Sequence, residues 1–179
     1  MKSSFSKTIF LCLLFMPLLV LADKKDKAST FTLPSGIRVK IVEAPFSESL
    51  FKVELCKKNE GRVCLIDGKS PHGSAGSIPL TYLKDLTVSY KNKSYKLDTS
   101  NMFNAWGNRP LEFSGSIRYL GGFCYDEETC VVRGLFSDAG GSFAAEWAIT
   151  GGISQRTVIS ESNDIINLFM KHIDPPKFE

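Results

Sequence analysis

Apolar and polar positions alternate along most of the chain between residues 30 and 160. In Ile37-Arg38-Val39-Lys40-Ile41 every second side chain is apolar, the period of a strand with one buried and one wet face. Phe51-Lys52-Val53-Glu54-Leu55 repeats the pattern and runs into Cys56. The chain turns over 57–61 and returns as Val63-Cys64-Leu65-Ile66, which predicts a hairpin. Residues 86–90 (LTVSY) and 94–97 (SYKL) flank Lys91-Asn92-Lys93 and predict a second. Further strands are expected over 30–33, 116–124, 130–136, 143–149 and 156–159, with a strong turn signal over 137–142. Residues 70–77 (SPHGSAGS) have no period and read as a surface loop.

The period changes to that of a helix only near the end. Ile165, Leu168, Phe169 and Ile173 share a face at i, i+3, i+4 and i+8. Ser162 is placed to cap that helix, Asp164 suits its first turn, and Pro175-Pro176 stops it. Asp98-Thr99-Ser100 has capping chemistry ahead of Met102, Phe103 and Trp106, with Gly107 as a stop, leaving room for one short central helix. The expected class is α+β, mainly β: a hairpin-rich antiparallel sheet of seven or more strands with a C-terminal amphipathic helix.

The first 22 residues read differently. Lys2 and Lys7 precede an apolar run over 8–21, and Val20-Leu21-Ala22 supplies small residues before Asp23. The run is too short to span a bilayer comfortably, so a signal peptide over 1–22, cleaved near Ala22, is expected. Residues 23–29 then form a flexible leader and 30–179 a single globular domain, periplasmic or secreted and not inserted in a membrane. Removing Lys2 and Lys7 from the 22 basic residues leaves 20 against 19 acidic, a net charge of +1. Such a balance speaks against nucleic acid as the partner.

Outside the signal, four cysteines form two close pairs, Cys56 with Cys64 and Cys124 with Cys130. Four cysteines allow three connectivities, and the hairpin pattern favours these two. Each small loop would stabilise the fold by roughly 2–3 kcal/mol. Spacings of seven and five intervening residues do not match redox dithiols, and His72 and His172 lie at no recognised metal-ligand spacing. No cofactor or metal is expected. The second pair brackets Tyr125-Asp126-Glu127-Glu128-Thr129, an acidic tip that a disulfide would hold ready for a basic cleft.

Catalytic constellations are sparse. No Gly-x-Ser-x-Gly elbow surrounds His72, and Gly121-Gly122, Gly140-Gly141 and Gly151-Gly152 read as turns rather than phosphate cradles. Glu112, Asp138 and Glu146 are scattered carboxylates that could serve a glycoside hydrolase. Strand alternation puts Glu146 opposite Phe143, Ala145 and Trp147, hence toward solvent, with Arg133 and Arg156 as candidate ion-pair partners. The seven residues from Cys124 to Cys130 resemble the short disulfide-bracketed loop that some bacterial periplasmic lysozyme inhibitors project into the enzyme's cleft. Here the loop is acidic and lacks a central histidine. That resemblance implies a protein partner met through Tyr125, Asp126, Glu127 and Glu128.

The expectation is therefore an exported, non-catalytic binding protein, most concretely an inhibitor or immunity protein acting on an envelope enzyme or toxin. The alternatives are an envelope carbohydrate-active hydrolase using Glu146 or Glu112, and an assembly component of a secretion system or surface appendage.

Overall fold

Backbone pairing gathers the described strands that lie between Lys27 and Ser160 into three antiparallel sheets. The computed structural model describes residues 25–58, 61–106, 120–137 and 141–176. In chain order the strands are β1 (Lys27–Thr32), β2 (Arg38–Pro45), β3 (Val53–Leu55), β4 (Val63–Ile66), β5 (Thr81–Tyr90), β6 (Lys93–Lys96), β7 (Leu120–Cys124), β8 (Cys130–Phe136), β9 (Phe143–Thr150) and β10 (Ile153–Ser160). One four-stranded sheet runs β1-β2-β5-β6 and the other β10-β9-β8-β7, with β3-β4 as a separate hairpin. The mainly β, antiparallel class expected from the alternation is what forms.

The two larger sheets face each other across one core. Val39 and Ile41 of β2 and Leu86 and Val88 of β5 are buried with Val132, Phe136, Phe143, Ala145, Trp147 and Ile149 of β8 and β9. Burying a large apolar side chain stabilises by about 1.5–3 kcal/mol, so this shared layer dominates the favourable side of folding. Trp147 is fully buried, and its indole N–H donates to the Asp98 carbonyl at 2.9 Å, which satisfies its one polar atom. A smaller cluster at one end joins Val63, Ile66 and Phe103 to Phe46, Phe51, Val53 and Tyr82.

The single helix among the described residues, α1 (Asn163–Lys171), packs on the outer face of the second sheet against β8 and β9. Phe169 is its buried residue, while Leu168 stays 48% exposed, so the apolar stripe is narrower than its spacing implied. Ser162 makes no side-chain cap bond; its own N–H donates to the Ser160 hydroxyl oxygen instead.

The structure departs from the sequence expectation at three further places. Residues 98–106 do not form the short helix. Asn101 and Asn104 adopt left-handed φ angles of 62° and 42°. Apart from one turn bond, Met102 N–H to the Thr99 carbonyl, the backbone here bonds to neighbouring chain, through His72 N–H to the Asn101 carbonyl, Phe103 N–H to the His72 carbonyl and Leu83 N–H to the Met102 carbonyl. Residues 70–77 are not simply a surface loop, because Pro71, Gly73 and Ser74 are buried. Finally, β1 begins at Lys27, so pairing with β2 reaches into the segment read as a leader. The signal segment 1–22, Glu112, Asp138 and the strand expected over 116–119 lie outside the described residues.

Candidate functional site

The acidic loop is built by strand register. β7 and β8 pair residue by residue from Leu120↔Gly134 to Cys124↔Cys130, which sets the last two Cα atoms 4.0 Å apart and joins them in a disulfide. The second disulfide, Cys56–Cys64, closes the β3-β4 hairpin across Cα atoms 5.0 Å apart, beside a register shift rather than between direct partners. Both pairings are those the spacing favoured.

Inside the 125–129 loop the backbone is folded on itself. The Tyr125 N–H donates to the Thr129 carbonyl at 2.9 Å, and the Glu128 N–H donates to Asp126 Oδ1 at 2.8 Å. That bond from Glu128, with others from Thr129 and the nearby Lys91 charge, holds the Asp126 carboxyl below the usual carboxylate range. Tyr125 is 52% exposed and stands edge-on to Phe123 at 4.8 Å between ring centroids.

Two other hairpins brace the loop from outside. Tyr95 of β6 donates its hydroxyl to the Glu127 carbonyl at 2.7 Å. The Gly152 N–H of the β9-β10 turn donates to the Glu128 carbonyl at 3.2 Å. Lys93 Nζ lies 3.5 Å from Glu128 Oε1. The disulfide is therefore not the tip's only support: the tip is seated between the ends of the two sheets, with Asp126, Glu128 and Tyr125 outward and Glu127 half-covered. Sequence reasoning missed Tyr95, Lys93 and Gly152 because nothing local links residues so far apart to the loop. What the arrangement can do is present an aromatic ring and carboxylates with little freedom left to lose.

The other candidates resolve as structure. Glu146 faces away from the core, as alternation required, but α1 covers that face and the carboxylate is only 18% exposed. Arg133 Nε donates to Glu146 Oε2 at 2.6 Å, and the Thr157 hydroxyl donates to Oε1 at 2.9 Å. Arg133 also lies 4.7 Å from the Phe169 ring and donates to the His172 carbonyl. Of the two arginines expected near Glu146, only Arg133 is there. Arg156 pairs instead with Asp98 at 3.3 Å and donates to the Ser100 carbonyl at 2.6 Å. Burial alone would raise the Asp98 carboxyl, but hydrogen bonds from Ser100 and the Arg156 charge bring it below its ordinary value.

His72 lies 3.5 Å from Glu161 through Nδ1. Burial, only partly offset by Glu161, lowers its pKa from the ordinary 6.5. Ser74, its near neighbour in sequence, is 4% exposed, and its hydroxyl accepts the Gly76 N–H at 3.3 Å. A substrate could not reach that oxygen without local opening. Among the described residues no three His, Cys, Asp or Glu side chains are grouped to hold a metal ion, and no helix is long and apolar enough to cross a membrane. No protein-family model matches the chain, and neither does any curated protein or any solved structure.

Proposed function

We propose that the protein is an exported, non-catalytic binding protein, an inhibitor or immunity protein that neutralises an enzyme or toxin acting in the cell envelope. Tyr125, Asp126, Glu127 and Glu128 meet the partner. The observation that carries this reading is the bracing of the 125–129 loop by a disulfide and by two hairpins from different sheets. A loop ordered before association loses less entropy on binding, so more of its contact energy survives as affinity. Tyrosine is among the residues that most often anchor interfaces, and carboxylates around it favour a basic partner surface. Two disulfides fit an oxidising compartment, in keeping with the export signal expected over residues 1–22. The ion pairing and helix cover of Glu146 weigh against the hydrolase alternative.

The test pairs two baits, the oxidised protein and its Asp126→Ala/Glu127→Ala/Glu128→Ala variant, against envelope and secreted extract from the source. The expected outcome is an enzyme or toxin held at one-to-one stoichiometry by the first, losing activity on binding, and held at least about tenfold more weakly by the second. Equal capture by both baits, with both folded, overturns the loop reading.

A further inference from the structure

Cross-strand register on the first sheet assembles a feature that is invisible along the chain. On its outer face two adjacent rungs cross all four strands. One is Thr32–Arg38–Ser89–Ser94 and the next is Thr30–Lys40–Thr87–Lys96. All eight side chains are cationic or hydroxyl-bearing; none is acidic and none is apolar. Lys91, at the β5-β6 turn, extends the same surface, and a shallow cleft of about 510 Å³ is lined by Thr30, Arg38, Lys40, Ser89, Lys91 and Ser94, among others. Arg38, Lys40 and Lys96 are exposed and have no ion-pair partner among the described residues. The nearest acid by register is Asp85 on the following rung, which the Thr87 hydroxyl contacts at 3.2 Å. The second sheet differs: its outer cation, Arg133, is neutralised by Glu146 and covered by α1.

We infer that this face binds an acidic polysaccharide. Residues two apart on a strand are about 7 Å apart and every second strand about 10 Å away, so Arg38, Lys40 and Lys96 form a cationic grid suited to repeated anionic groups. The hydroxyls between them can donate to and accept from sugar hydroxyls. Protein partners need an apolar or aromatic anchor at the centre of an interface, and this face has none. Single-stranded nucleic acid needs aromatic side chains on which bases stack, and neither rung carries one. The inference does not rest on the 125–129 loop.

The probe is dextran sulfate, with neutral dextran of the same length as control, titrated against the oxidised protein at low salt. Wild type is expected to bind the sulfated chain and not the neutral one, with affinity falling linearly on a log–log plot against salt. Arg38→Ser/Lys40→Thr/Lys96→Thr keeps strand-forming side chains and should weaken binding at least about tenfold, lowering the salt slope by about one per cation removed. Lys57→Thr/Lys58→Thr/Lys171→Gln removes as much charge elsewhere and should bind as wild type does. The Asp126→Ala/Glu127→Ala/Glu128→Ala variant should also retain binding, which separates this site from the proposed partner loop. The inference is overturned if the two cation-deleted variants bind alike. Equal or tighter binding of a single-stranded oligodeoxynucleotide, or of anionic vesicles, also overturns it. So does salt-sensitive dimerisation that the loop variant abolishes, because the face would then be covered by a second copy.

Discussion

At the residue scale, two ionisable groups show how surroundings decide a role that residue type leaves open. Glu146 occupies a strand position that alternation turns away from the core, and that much was legible. What neutralises it was not, because Arg133 and Arg156 sit on the flanking strands β8 and β10 and only register separates them. Arg133↔Glu146 are direct partners, whereas Arg156 pairs with Trp147 beside a register shift and turns to Asp98. His72 yields a prediction. In the unfolded chain its imidazole protonates near 6.5, whereas burial lowers that value in the folded protein. Between the two values the unfolded state binds more protons, so His72 makes stability fall as pH drops below about 6.5. The difference in unfolding free energy between wild type and His72→Gln should therefore shift against wild type from pH 7 to pH 5 in urea titrations. A difference that stays constant over that range would contradict the burial of the ring.

At the scale of elements, the hairpins were readable because a period of two and a turn signal are local properties. Lys91-Asn92 makes a two-residue turn between β5 and β6, and Cys124 and Cys130 end paired strands. The 70–77 segment was misread for an equally physical reason. Its glycines looked like freedom, yet Gly73 is needed for close approach. Its φ is +84°, and a Cβ there would lie 2.0 Å from the Phe103 carbonyl oxygen and 2.9 Å from the Phe143 ring. Backbone cannot yield by that amount cheaply. Gly73→Ala is expected to cost at least about 2 kcal/mol, read as a lower urea midpoint. Gly68→Ala shares a positive φ but meets nothing within 4 Å, so it should cost less. Equal losses would mean that conformational strain alone, and not packing, explains Gly73. Residues 98–106 failed as a helix on similar grounds, since capping chemistry in the sequence lost to backbone partners around His72, Leu83 and Ser137.

At the scale of the molecule, the 125–129 loop is held in place by a hydroxyl from one sheet and an amide from the other. Tyr95→Phe should leave the strands paired but free the Glu127 carbonyl, raising amide exchange in the loop severalfold, the effect of about 1 kcal/mol. Unchanged exchange at Tyr125 and Glu128 would show that the disulfide alone orders the tip. The same long-range assembly produces the cationic rungs, whose members are spread from Thr30 to Lys96 and meet only through register. Net charge near neutrality concealed them, because composition averages over surfaces that folding separates. By itself the sequence determined the class, the hairpins, the disulfide pairs and the inward faces of the strands, since each follows from periodicity or short spacing. Only the tertiary structure decided which arginine neutralises Glu146, why Gly73 must be glycine, what seats the acidic loop and where the cations gather. Each of those depends on strands far apart in the chain being brought together over a shared core.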